Sequence, residues 1–165
     1  MRVPGVIAGP AFSAIGFLPR PLRNWLIGLS SPAYRVGTAG YLPGADGRIL
    51  LARHSYRKGW GLLGGILGWR EEPIDSIVRE MAEEVGIDVE VTGPPALAVI
   101  RSPRRVVLIY PLAFTADGNS EPVPTSPEIA EIGWFDPDDL PVLDVQTPRL
   151  LAVLADQVAE YPPNR

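Results

Sequence analysis

The sequence predicts an α+β domain with a mixed sheet between helices, and three observations carry that expectation. Strand-like stretches outnumber helical ones, helical stretches flank them, and the composition suits a substantial core, with 165 residues of which 46% are hydrophobic and 21% charged. No internal repeat, low-complexity tail or inter-domain linker is visible, so a second full domain is not expected.

Taken in order, residues 3 to 18 form an apolar run behind Met1-Arg2 that faintly resembles a signal peptide, but Pro4, Gly5, Gly9 and Pro10 break it. The run is too short and interrupted to cross a bilayer as a helix, and it lacks a clear polar cleavage region. Pro19-Arg20-Pro21 then opens a short amphipathic segment in which Leu22, Trp25, Leu26 and Leu29 recur at i, i+3, i+4 and i+7. Residues 1–33 are therefore expected to form an extension whose stripe is covered by the domain itself or by a homodimer partner. Membrane attachment is the lesser reading, since only Arg20 and Arg23 supply positive charge.

From residue 34 the period changes to that of strands. Tyr34 to Leu42 and Arg48 to Arg53 flank a Pro43-Gly44-Ala45-Asp46-Gly47 turn and read as a hairpin. An acidic helix follows, then strands at Asp88 to Val91, Ala96 to Ile100 and Val106 to Phe114, a Pro-rich loop from Glu121 to Pro127, a strand near Glu131 to Phe135, and a closing helix from Thr147 to Glu160.

The acidic helix carries the chemistry. With Glu80 at zero on the helical wheel, Glu84 falls near about +40° and Glu83 near about −60°, so the three share a face. Ile74, Ile77, Val78, Met81, Ala82 and Val85 lie opposite. Such a strip of like charges repels itself unless a cation intervenes, and hard oxygen ligands suit Mg²⁺ or Mn²⁺ shared with substrate phosphate. Arg79, at about −100°, is placed to orient a carboxylate by a forked hydrogen bond. An acidic face alone is more often merely solvated.

The full spacing is more specific. Gly65, five residues, Glu71, seven residues and then Arg79-Glu80-Met81-Ala82-Glu83-Glu84-Val85-Gly86-Ile87 match every fixed position of the Nudix signature, and the chain thereby resembles the Nudix hydrolases. The motif covers 23 residues. Weaker likeness, in Trp60-Gly61-Leu62-Leu63-Gly64-Gly65 and in Pro127-Glu128-Ile129 with Gly133-Trp134-Phe135, extends it over about residues 34 to 160. Leu63 stands where the family commonly has Pro. Gly68 and Arg70 stand where it often has an acid and then a Gly, which suggests that the loop before Glu71 turns at Gly68.

The resemblance implies an α/β/α sandwich over residues 34–165 and a Mg²⁺-dependent pyrophosphohydrolase that cleaves the diphosphate bond of a nucleoside diphosphate linked to another moiety. A nucleotide sugar or ADP-ribose-like compound is favoured slightly over a nucleoside triphosphate. It assigns the metal to Glu80, Glu83, Glu84 and the Gly64 carbonyl. Support of the motif falls to Gly65, Glu71 and Gly86, with Arg79 holding a carboxylate. The proton acceptor is a helix carboxylate such as Glu83 or Glu80, or Glu128 on a late loop, with Glu131 behind it. Arg53, Arg57, Arg70 and Arg104 are the substrate-binding candidates, Arg101 and Arg105 could also grip a terminal group, and Tyr56, Trp60, Trp69 or Tyr110 could stack on a base, although each is more often core or surface.

Composition agrees with an anionic small-molecule substrate. Eight of the nineteen acids lie between Glu71 and Glu90, with basic residues gathered on either side at Arg53, Arg57 and Lys58 and at Arg101, Arg104 and Arg105. A net charge of −4, a single Lys and no aromatic-basic interleaving argue against a nucleic-acid partner. Cysteine is absent, which excludes thiolate chemistry and is compatible with the expected cytoplasmic location. The lone His54 is expected to be packed or hydrogen-bonded rather than catalytic. The alternatives are a catalytically weak nucleotide-sensing or partner-binding module, which leaves the intact acids unexplained, and a structural adaptor acting through residues 19 to 29.

Overall fold

The computed structural model describes residues 18–30, 33–101, 104–115 and 121–160. The chain divides into two units, Met1–Ala33 and Tyr34–Arg165. In the first, helix α1 (Arg20–Ser30) forms where the i, i+3, i+4 stripe was read; Leu22, Trp25 and Leu29 are exposed, and the earlier apolar run up to Phe17 and the side chain of Leu26 lie outside the described residues. No described helix is long and apolar enough to cross a membrane.

The second unit contains strands β1 (Arg35–Tyr41), β2 (Ile49–His54), β3 (Val89–Val91), β4 (Ala96–Ile100), β5 (Arg105–Phe114) and β6 (Ile129–Phe135), with helices α2 (Pro73–Val85) and α3 (Thr147–Glu160). The long β5 organises the larger sheet. It pairs in parallel with β1 along one edge, and its other edge is shared by β4 and β3, both antiparallel. Antiparallel β2 and β6 form a second, two-stranded sheet.

The expected hairpin is corrected by this pairing. Its turn exists, with Gly44 N–H donating to the Arg48 carbonyl and Gly47 at φ 81°, but only the Pro43–Ile49 bridge and a Leu50 N–H bond to the Leu42 carbonyl join the two arms. Beyond them the strands part, β1 to β5 and β2 to β6. Turn chemistry specifies a reversal; the longer partners β5 and β6 decide what each strand pairs with.

Alternation sorts the core into two layers. Leu50, Ala52, Tyr110 and Leu112 pack with Ile77, Met81 and Val85 of α2, whereas Ile49, Leu51, Val107 and Ile109 pack with Leu150 and Leu154 of α3. A helix thus covers each face, giving an α/β/α sandwich with a mixed sheet. The segment from Gly61 to Ile66 stitches the sheets together: Gly61 bridges Ala52, while Leu63 and Ile66 bridge Gly40 and Gly37 on the outer edge of β1. Leu63 is buried and its carbonyl accepts from Gly40 N–H, so pairing with β1 fixes the backbone where proline was absent.

Candidate active site

Helix α2 is delimited by its sequence. Pro73 occupies the first turn, where its missing N–H costs nothing, and Gly86 ends the helix in the left-handed region at φ 68°, donating to the Ala82 carbonyl. The last carbonyls find partners on the Pro-rich loop: Thr125 Oγ1 donates to Glu83 O at 2.8 Å, Thr125 N–H to Glu84 O at 3.0 Å, and Val123 N–H to Val85 O at 3.1 Å. This docking delivers Glu128 to the same cavity as the helix acids.

Gly64 and Gly65 let the chain pass close to that helix. Gly64 has φ 135°, and a Cβ there would collide with the Thr38 carbonyl; a Cβ on Gly65 would collide with the Glu80 carboxylate. Gly64 N–H donates to Glu84 Oε2 at 3.0 Å. The flanking Leu63 and Gly65 carbonyls accept from β1, whereas among the described residues no backbone N–H bonds the Gly64 carbonyl. That carbonyl is left available to a ligand.

Arg79 joins three carboxylates. Its Nε and one terminal nitrogen donate to Glu71 at 2.7 and 3.2 Å, that second nitrogen also reaches Glu80 Oε1 at 3.0 Å, and the other reaches Glu83 Oε2 at 2.8 Å. Glu71 Oε2 also accepts from Gly68 N–H at 2.7 Å, and Arg79 followed by this N–H lowers its pKa to about 2. The Glu71 bonds in turn raise the pKa of Arg79, so the guanidinium stays charged.

Glu84 is held differently. It is buried, and desolvation outweighs the Gly64 N–H bond; with the charges of Glu80 and Glu128 added, its pKa is pushed up to about 7. Burial also raises Glu80, against the opposing pull of Arg79. The helical wheel places all three acids on one face, and all three line one cavity, but Glu84 is buried beside Val85 and Glu83 is exposed, while Ile74 and Ala82, expected on the apolar side, are exposed rather than packed. His54 is also buried, its Nε2 3.8 Å from Glu84 Oε1 and without a hydrogen-bond partner. Burial, then Arg57, lowers its pKa, so both members of the contact favour their neutral forms and no ion pair links them.

A cavity of about 450 Å³ is lined by Gly64, Gly65, Arg79, Glu80, Glu83, Glu84 and Glu128, together with Tyr56 and Arg57. Among the described residues no three carboxylates converge as a ready-made metal cage, because Arg79 draws Glu80 and Glu83 and Gly64 draws Glu84. The donor set nevertheless fits a hard divalent cation. It offers oxygen ligands only, the Gly64 carbonyl that no backbone N–H bonds, the buried Glu84 carboxylate without an arginine partner, and the half-buried Glu80 carboxylate paired with Arg79 through one oxygen, and such a cation completes its coordination with water and phosphate.

Several candidates lie elsewhere. Arg53, exposed on β2, is bonded to Glu131 at 2.7 and 3.0 Å, which also draws Glu131 away from the cavity. Arg70 and Arg104 do not line it, Trp69 is fully exposed, Tyr110 lies in the α2 layer of the core, and Trp60 packs edge-on against Phe135. Arg70 rather than Gly68 takes the left-handed turn, at φ 61°. Gly68 N–H is committed to the Glu71 carboxylate, and residue 70 absorbs the reversal. Asp144, which caps α3 by accepting from Gln146 and Thr147 N–H, and Arg35, which lines the cavity, are not among the residues the sequence singles out. An Asp shortly before a helical stretch was a usable signal for the first; a strand-initial Arg carries none.

Comparison with known proteins places this architecture. The NUDIX domain model matches residues 33–157. A MutT-like protein from Streptomyces ambofaciens is 32% identical over 127 residues, covering 76% of this chain and 80% of that protein. A MutT NUDIX hydrolase from Burkholderia pseudomallei superposes with a TM-score of 0.63 at 29% identity, covering 74% of this chain and 99% of that one. An ADP-ribose pyrophosphatase from Streptococcus suis superposes with a TM-score of 0.64 at 26% identity, covering 80% and 96%. With the domain model spanning most of its length and the glycine pair, Arg79 and four glutamates brought to one helix and loop, the chain belongs to the Nudix hydrolase family.

Proposed function

We propose that this pyrophosphohydrolase is divalent-cation-dependent and cleaves the diphosphate bond of a nucleoside diphosphate linked to another moiety, with an ADP-ribose-like or nucleotide-sugar substrate favoured over a nucleoside triphosphate. The observation that carries the reading is the buried Glu84 carboxylate, with no arginine partner among the described residues, in one cavity with Glu80, Glu83 and the Gly64 carbonyl that no backbone N–H bonds. The likeness to an ADP-ribose pyrophosphatase supports the substrate class.

Glu80, Glu83, Glu84 and the Gly64 carbonyl would hold Mg²⁺ or Mn²⁺, which when bound neutralises phosphate oxygens and lowers the pKa of water. Arg79 bonds Glu71, Glu80 and Glu83 and so keeps the two helix ligands at the cavity, from which they would turn toward the cation as it binds. Gly65 and Gly86 permit the close approach of loop and helix end. Arg57 offers its charge to the diphosphate, and Tyr56 a ring to the substrate. Glu128, exposed at the cavity on the late loop, accepts the proton of the attacking water as the new phosphorus–oxygen bond forms and the bridging oxygen leaves with the second phosphate.

The test is a panel of nucleoside diphosphate compounds assayed with Mg²⁺, with products identified by mass, on the intact protein and on Glu128→Gln. Cleavage into two phosphate-bearing halves, with kcat in the variant reduced about 10²- to 10⁴-fold at unchanged metal affinity, is expected. A variant rate within about threefold of the parent moves the base to a helix carboxylate, and binding without turnover of any compound favours a nucleotide-sensing module.

A further inference from the structure

Four arginines line the cavity, and they are not equivalent. Arg79 is joined to three carboxylates, and Arg57 lies 3.6 Å from Asp144 Oδ2 and 5.1 Å from the centre of the Tyr56 ring. Arg35 and Arg105 have no carboxylate within ion-pair distance among the described residues. They are register partners at the start of the parallel β1–β5 pair, so their side chains leave the sheet on one face, the face covered by α3. Arg105 Nε is buried there with no hydrogen-bond partner. Like charges at directly paired positions repel, and a buried charged donor without an acceptor is costly. An anion between the two guanidiniums removes both penalties.

We propose that Arg35 and Arg105 form a phosphate subsite that receives a phosphate monoester carried about one sugar ring beyond the scissile diphosphate. The proposal rests on the hydrolase reading and narrows its substrate. Gly37, two residues along β1 from Arg35, lies against the Gly65 carbonyl, and Gly65 lies against Glu80. Two strand residues span about 7 Å, and the Gly37–Gly65 and Gly65–Glu80 contacts add to it, so the subsite lies farther off than the neighbouring phosphate of a polyphosphate chain and at least about the breadth of a pentose away. Two guanidiniums match a phosphate monoester of charge about −2, whereas one carboxylate leaves a cation uncompensated.

ADP-ribose, its 2′-phosphate on the adenosine ribose and its 1″-phosphate on the distal ribose distinguish the two positions the monoester can occupy. Calorimetric titration in EDTA measures binding without turnover, and mass analysis with Mg²⁺ measures cleavage separately. One phosphorylated ligand should bind about tenfold to a hundredfold more tightly than ADP-ribose. That advantage should shrink to within about threefold in Arg105→Gln and, since Arg35 is exposed and its loss should leave the fold intact, in Arg35→Gln as well. Equal binding of all three ligands, or an advantage that survives both substitutions, overturns the subsite even if all three are cleaved. Preferential binding lost in both variants, with no cleavage of any ligand, leaves the subsite standing and overturns the hydrolase reading.

Discussion

Glu71 and Glu84 are the same residue type, placed on either side of Arg79 in one motif, and the fold drives them in opposite directions. Glu71 receives two guanidinium bonds and a backbone N–H, which bring its pKa down to about 2. Glu84 receives one backbone N–H while buried near Glu80 and Glu128, and rises to about 7. The difference separates an acid that holds the loop from one that the proposed cation would complete: Glu71 has its counter-charge within the protein, and Glu84 has no arginine partner.

The sharpest break of this contrast is Glu84→Gln. The amide keeps an oxygen for Gly64 N–H but weakens the hold on a cation, so turnover should fall by about 10²- to 10³-fold. The metal-free protein should be as stable as the parent or more so, because a buried charge is gone. Steady-state kinetics at saturating Mg²⁺ and calorimetry in EDTA check the two halves. Activity that survives the change would remove Glu84 from the metal site.

Titration separates the pair without mutation. A carboxylate whose folded pKa is raised binds its proton more tightly in the folded state, so its contribution to stability is complete below the unfolded value of 4.5 and is lost as the pH rises through about 7. In EDTA the loss attributable to Glu84 should reach at most about 3 kcal/mol, and Mg²⁺ should restore part of it. Glu71 has the opposite sign: its contribution is present above 4.5 and is lost as the pH falls toward about 2. Denaturant unfolding across pH, with and without Mg²⁺, reads both limbs. In Glu84→Gln the upper limb should flatten.

Removing the shared partner acts chiefly on the Glu71 side. Arg79→Gln leaves Glu71, Glu80 and Glu83 close together without a counter-charge. Because Arg79 is about a third exposed, solvent screening limits the cost, and a loss of about 1–2 kcal/mol corresponds to a fall in Tm of about 2–8 °C for a chain of this size. Calorimetry in EDTA measures it. A Tm within about 1 °C of the parent would mean that the three bonds orient carboxylates without stabilising the fold.

Much of this contrast was legible before the structure, because the motif spacing names all four glutamates and Arg79, and the sequence places α3 and β4 close to their observed bounds. What escaped depends on distant contacts. The wheel cannot tell that Glu84 is buried and Ala82 exposed, since β1 and the Gly64–Gly65 turn set this from elsewhere in the chain. The parting of β1 from β2 is decided by β5 and β6, and the pairing of Arg35 with Arg105 by a register spanning 70 positions. His54 was rightly expected to be packed, yet its unpartnered Nε2 beside Glu84 has no local signature.

The smallest expected effect concerns how Glu71 is held in place. Gly68 N–H reaches the Glu71 carboxylate because Arg70 takes the left-handed turn at φ 61°, a conformation that costs a non-glycine residue about 1–2 kcal/mol. Arg70 makes no ion pair among the described residues and does not line the cavity, so little offsets that strain locally. Arg70→Gly removes the strain but gives the unfolded chain more freedom, which costs about 0.4–1 kcal/mol. The net should lie between no change and a stabilisation of about 1.6 kcal/mol, or up to about 6 °C in Tm, with the pKa of Glu71, followed by carboxyl-carbon NMR, still near 2. A lower Tm would show that the Arg70 side chain contributes more to the fold than its backbone strain removes, and a Glu71 pKa returning toward 4.5 would show that the arginine, and not the turn alone, holds Gly68 against the carboxylate.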